Sequence, residues 1–350
     1  MVADRATNHF VTNELKWMKG KAMSIRTMKA IQVHTSGGPE VLVYEDVPVP
    51  SVGAGEVLIR TSAIGVNPAD WRGRLGFLDI PEQFRPNIPC PSIPGRDVSG
   101  IVEAVGPDVT SFHVGDAVYG LIRFPPSFSP GSAMTGTYAE YVAAPATDLA
   151  LKPATIDHVQ AAALPMAVLT AWQMLYLELT EGQTVLIAGA AGGVGHLAVQ
   201  LAKLKGTQVI GVASGRHAKF LRDLGVDQLI DYTTTSVEQV VHDVDFVFDG
   251  VGGINNHLLN VIKRGGRFVP INLGNASAAY AAELGVIMGT SHHQPLRSNG
   301  AQLAEIGSLI DAGRLRVVVG AVLPLKEAHK AHEIGENGHL RGKIVLQVVE

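Results

Sequence analysis

Between Leu186 and Gly206 the chain reads LIAGAAGGVGHLAVQLAKLKG: an apolar run, a turn almost stripped of side chains, then a helical pattern. Ala190-Ala191-Gly192-Gly193-Val194-Gly195 is a G-x-G-x-x-G arrangement with alanine in the first place. The chemistry such a turn serves is anion binding. A helix N-terminus carries unpaired N–H groups and about half a positive charge. Without a Cβ at Gly192 a diphosphate can reach those donors, and Gly195 lets the helix pack tightly on the strand before it. Ala191, Gly193 and Val194 complete the candidate binding turn. Val194, Leu197, Ala198, Leu201 and Ala202 fall on one helical face, and Gly206 stands where such a helix stops. Strand, turn and helix in that order predict a dinucleotide site.

The next strand ends in GVASGRHAKF. An NAD site carries Asp or Glu there for the ribose 2′-OH. Ser214 or Gly215 stands in its place, followed by Arg216 and Lys219. A hydroxyl and two cations suit a 2′-phosphate, so NADP(H) is expected over NAD(H). Zinc chemistry finds little support. Cys90 is the only cysteine, His292-His293 are adjacent, and His329 and His332 lie three apart with no third ligand nearby.

These residues need elements to hold them. From Met28 to about residue 155, segments such as KAIQVH, EVLIRTSAIGV and VSGIVEAVG alternate in the strand manner between Gly- and Pro-rich turns, which predicts a β-rich domain. After Pro153 apolar strands alternate with helical patterns at 184–190, 207–213, 228–231, 245–250 and 266–272. That rhythm predicts an α/β fold with a doubly wound parallel sheet. Helices are expected over GAQLAEIGSLIDAGRL and LKEAHKAHEIGE, and a closing strand over KIVLQVV. The apolar stretch 159–177, interrupted by Gln160, Pro165 and Gln173, predicts a buried helix rather than a membrane span. The net charge of −4 over 350 residues gives no footprint for nucleic acid. Residues 1–27 lack an apolar stretch and are expected to be a mobile extension, not a secretory signal; a cytoplasmic protein is the expectation.

GPEVLVYEDVPVP, GEVLIRTSAIGVNPADW, IPGRDVSGIVEAVG, VGDAVYG, GTYAEYV, AALPMAVLTAW, AGAAGGVG, LGVDQLIDY and RGKIVL together resemble the medium-chain dehydrogenase/reductase superfamily across almost the whole chain. The resemblance implies a GroES-like catalytic domain from 28–155 and 297–350, with a Rossmann domain from 156–296 inserted, and a homodimer. Zinc-dependent members carry Cys where this chain has Asn67 and His where it has Arg96, so the chain is similar to the zinc-free quinone oxidoreductase branch. Within it, the NADPH-dependent enone and alkenal reductases carry lysine where Arg72 stands. The implied activity is hydride transfer to a quinone or to the β-carbon of an α,β-unsaturated carbonyl. The alternatives are an enoyl-thioester reductase and a non-catalytic NADPH-binding protein. Without zinc, hydrogen-bond donors must stabilise the oxyanion formed. Asn67, Arg72 and Tyr119 are the catalytic candidates. For the cofactor the resemblance adds Thr170, Tyr232, Val251, Ile271, Gly342 and Lys343.

Overall fold

The structure, a computed structural model, describes residues 26–78, 80, 82–85, 88–124, 136–251, 255–271, 276–290 and 296–348. His292-His293 and residues 1–25 of the expected extension lie outside the described residues. The remaining two residues of that extension are described, and Thr27 already begins a strand.

The first half folds as the alternating pattern predicts. β1 (Thr27–Val33) and β2 (Leu42–Pro48) pair antiparallel. β3 (Glu56–Val66), β4 (Asp97–Val105), β5 (Ala117–Leu121), β6 (Tyr141–Pro145) and β7 (Leu149–Leu151) build most of a seven-stranded sheet. The chain leaves β3 through α1 (Pro68–Arg74), a short helix with Pro68 at its first position. The apolar stretch 159–177 is not one helix. It divides into α2 (His158–Ala162), α3 (Pro165–Ala171) and a π-helical turn over Trp172–Tyr176. Pro165 has no N–H and opens a new helix. All seven residues of α3 are buried. Among the described residues no helix is long and apolar enough to cross a membrane.

The second sheet is wholly parallel, in the order β10-β9-β8-β11-β12-β13. Its strands are β8 (Thr184–Ala188), β9 (Gln208–Ala213), β10 (Gln228–Asp231), β11 (Val244–Asp249), β12 (Ile262–Pro270) and β13 (Ile287–Met288). Read in chain order this is 3-2-1-4-5-6, the dinucleotide-binding arrangement, with its switch point between β8 and β11. α4 (Gly195–Leu204) links β8 to β9, and α5 (Ala218–Asp223) links β9 to β10. The predicted face of α4 is buried: Leu197, Ala198, Leu201 and Ala202 have no exposed surface.

After α6 (Ala278–Leu284), α7 (Gly300–Asp311), β14 (Val319–Pro324) and α8 (Ala328–Asn337), the chain returns. β15 (Lys343–Gln347) pairs antiparallel with β3, and β14 parallel with β15. The last strands therefore complete the first sheet, and the parallel sheet is an insertion in it. One hydrophobic core runs through both, joining Tyr119 and Leu121 to α3, α4, β8 and α7.

Candidate active site

The glycine turn leaves β8 at Gly189, whose φ of +71° suits glycine. Gly192 N–H donates back to Gly189 O at 2.9 Å. The N–H groups of Gly193 and Val194 donate to no backbone carbonyl among the described residues. These two, rather than that of Gly192, are the donors open to a diphosphate. A Cβ on Gly195 would lie 2.1 Å from Gly189 O and 2.8 Å from Ala190 Cα, so only glycine permits this strand–helix contact. The residues present thus fit a dinucleotide. His196, which sequence reasoning missed, holds the turn. Its Nδ1 donates to Gly192 O at 2.9 Å, and its Nε2 accepts from Val318 N at 3.1 Å. Burial keeps that imidazole neutral, with its pKa lowered to about 4.

Ala213 and Asp231 are paired at the ends of β9 and β10, so Ser214 and Tyr232 leave the sheet side by side, Tyr232 exposed. Arg216 donates to His339 O at 3.0 Å, which ties this corner to the C-terminal segment. Lys219 is almost fully exposed and paired one turn on with Asp223 at 2.8 Å. Asp231 was missed: its carboxylate accepts from Thr233 and caps Gly215 N–H beside Ser214. Val251 is exposed just past β11 and close to Gly189, and Ile271 is half-buried past β12. Thr170 is buried, and its hydroxyl donates to Met166 O at 2.7 Å. Gly342, at φ +76°, donates its N–H to Ala191 O at 3.1 Å and so latches the start of β15 onto the glycine turn.

Lys343 reaches from the start of β15 past the glycine turn into the first sheet. Its stem passes Gly193, but its ammonium turns away from the turn. It donates to Val66 O at 3.0 Å and to the Asn67 side-chain oxygen, fully buried beneath β3. Asn67 in turn donates through Nδ2 to Asp97 at 2.9 Å and to Gly65 O at 3.4 Å. Its amide is saturated, so Asn67 positions this node and offers no hydrogen bond to an acceptor. Asp70 closes the cap of α1 by accepting Asn67 N–H at 2.8 Å, and also accepts the Tyr138 hydroxyl at 3.1 Å. Tyr138 leads on to His332 and Arg74. Tyr119 is a correction: it has no exposed surface, and its hydroxyl donates to Leu303 O at 2.6 Å. It is an amphipathic core tyrosine.

Beyond the node lies a cavity of about 320 Å³ in the first domain. Phe77, Ile80, Ile88 and Phe124 are among its apolar walls, and Asp70, Arg72 and Arg96 face it. Gly193, Lys343, Asn67 and Asp70 thus form a continuous path from glycine turn to cavity.

Burial pushes the Asp97 carboxyl up to about 7, against the opposing pull of Lys343, Asn67 and the Met166 N–H. A carboxyl whose folded pKa is raised is held protonated by the native state, so its contribution to stability is lost as pH rises from the ordinary carboxylate range through about 7. Buried His196 and His332, with lowered pKa values, have the opposite sign. The melting-temperature difference between Asp97→Asn and wild type is therefore expected to rise steadily between about pH 5 and 7.5. A flat difference would remove Asp97 as a buried titrating group.

Among the described residues no three His, Cys, Asp or Glu side chains gather as a metal site requires. Asn67 is saturated and Arg96 is a cation, so the positions do not fit zinc. A family model described as alcohol dehydrogenase GroES-like domain matches residues 53–154, and one described as zinc-binding dehydrogenase matches 224–346. An NADPH-dependent alkenal/one oxidoreductase of Arabidopsis thaliana, described as chloroplastic, is 33% identical over 327 residues, 92% of this chain and 80% of that protein. The chain belongs to the medium-chain dehydrogenase/reductase superfamily. As a member it is an oxidoreductase of the nicotinamide-cofactor class. A 2-methylene-furan-3-one reductase of Solanum lycopersicum is 32% identical, over 92% of this chain and 79% of its own length. Among solved structures of the superfamily, the quinone oxidoreductase from Coxiella burnetii superposes with a TM-score of 0.81 at 35% identity, over 93% of this chain and all of that one.

Proposed function

We propose that this chain is an NADPH-dependent, zinc-independent reductase of quinones and α,β-unsaturated carbonyls. The observation that carries the reading is the path Gly193–Lys343–Asn67–Asp70, which sets the apolar, arginine-bearing cavity next to the dinucleotide turn. The names of the two plant relatives and the Coxiella structure support the acceptor class. When bound, the dinucleotide supplies a hydride. The chain's own residues do the remainder. Gly193 and Val194 N–H groups hold the diphosphate, Ser214 and Arg216 face the 2′-phosphate, and the apolar walls exclude water from the reacting carbons. Arg72 lies against the acceptor. A homodimer is part of the same reading.

Mixing the protein with NADPH and, separately, a quinone, an enone and an enoyl thioester tests it. Loss of NADPH absorbance with the quinone or the enone is the expected result. Turnover of the thioester alone would move the chain to that class, and no turnover with any of them would leave a binding protein. The 2′-phosphate assignment has its own check. Ser214→Asp places a carboxylate against the phosphate and is expected to weaken NADPH by about ten- to a hundredfold and NADH far less, a cost of about 1–3 kcal/mol. Equal losses measured by fluorescence titration would remove Ser214 from the phosphate site.

A further inference from the structure

Arg96 is the residue of the cavity that neither the fold nor the saturated node explains. It follows Gly95, whose φ is +91° and whose Cβ, if present, would lie 2.3 Å from the Tyr138 ring. Its own carbonyl accepts Ile122 N–H at 2.8 Å. The backbone is thereby fixed and the side chain directed into the cavity beside Ala69, Asp70, Arg72 and Phe124. The residue is only 7% exposed. Among the described residues its guanidinium makes no hydrogen bond and no ion pair. Asp70 is the anion acting on it, yet no hydrogen bond or ion pair joins the two; Asn67 N–H and the Tyr138 hydroxyl both land on Asp70 Oδ2. Arg123 opposes its charge, and burial lowers its pKa. A buried guanidinium with open donors is costly to a fold. A chain keeps such a group where a ligand completes it, and the fork of a guanidinium matches oxygen anions.

We propose that Arg96 is the oxyanion receptor of the acceptor cavity: it donates to the quinone or enone oxygen on which negative charge develops as hydride arrives at carbon. This rests on the reductase reading above. The balance is simple. Hydride adds to the ring or β-carbon, a C=C π pair shifts, and the carbonyl π pair ends on oxygen as an enolate; for a quinone, a ring C–H proton then leaves to water and the oxygens are protonated, giving the hydroquinone. Arg96 keeps its proton throughout and pairs with that charge. Water then supplies the proton that completes the product, leaving hydroxide to the buffer. The substrate class is therefore acceptors with an oxygen conjugated to the carbon that receives hydride. The charged groups around this oxygen are Arg72, Arg74, Arg96 and Asp70 and, one layer deeper, Lys343, Asp97, Arg123 and the neutral His332.

The probe is 4-nitrophenol, whose spectrum separates phenol from phenolate and which mimics the charged oxygen without being reduced. Bound to wild-type protein it is expected to ionise more readily than in water, by about one unit, a tenfold change. Arg96→Gln is expected to abolish that shift while NADPH binding, read by fluorescence, persists. Arg96→Met, which replaces an unpaired buried charge with an apolar chain of similar length, is expected to melt above wild type. Retention of the shift in Arg96→Gln, its loss in Arg72→Gln instead, or a lower melting point for Arg96→Met would each overturn the assignment. An Arg96-dependent shift in a protein that reduces no acceptor would end the reductase reading and leave the oxyanion receptor. Turnover with no such shift would do the reverse.

Discussion

Lys343→Met is expected to lower the free energy of unfolding by about 1–3 kcal/mol, the usual cost of leaving buried hydrogen-bond acceptors without their donor. Lys343 is 5% exposed, and its ammonium holds Val66 O and the Asn67 side chain. It is also the strongest influence holding down the pKa of the buried Asp97 carboxyl. Methionine fills the space of the stem but leaves the Asn67 oxygen without a donor and the Asp97 carboxyl without its cation. Denaturant titration measures the loss. Adding Asp97→Asn to the same chain is expected to recover part of it, because the double variant no longer buries the orphaned acid. A loss within about 0.5 kcal/mol, typical of an exposed site, would mean that the node carries no weight.

Gly195→Ala is expected to cost about 1–3 kcal/mol of folding stability through overpacking. The added methyl would stand 2.1 Å from Gly189 O, and backbone cannot move aside as a flexible side chain does. Helix α4 must tilt off β8, and the open N–H groups of Gly193 and Val194 move with it. Gly192→Ala is the matched comparison, since its methyl meets only Gly189 O at 3.2 Å. It is expected to unfold close to wild type. Equal stabilities of the two variants, compared by denaturant titration, would show that the turn is not held as described.

The glycine turn and the parallel sheet were legible in the sequence because their causes are local, whereas the insertion came only from the family resemblance, since β15 reaches β3 from the far end of the chain. A turn without Cβ atoms, strands apolar on both faces and a helical stripe are written in neighbouring residues. Two missed features were legible in the same way. Asp70 lies three residues after Asn67, the spacing of a capping box, and Asp223 lies four after Lys219, the spacing of a helical ion pair. The node was not legible. It joins Asn67, Asp97 and Lys343 through a sheet that closes only when β15 returns to β3. Tyr119 failed as a catalytic candidate for the same reason, since Leu303 O comes from a helix far along the chain. Arg96 was visible only as the residue standing where zinc-dependent members carry histidine. Its burial against an open cavity belongs to tertiary structure alone.

The central claim is that the open N–H groups of Gly193 and Val194 hold a phosphorylated nicotinamide dinucleotide. Calorimetric titration of folded wild-type protein with NADPH and, separately, NADH tests it most directly. Saturable one-to-one binding, tighter for NADPH, is the result this account predicts. No detectable binding of either nucleotide would contradict it.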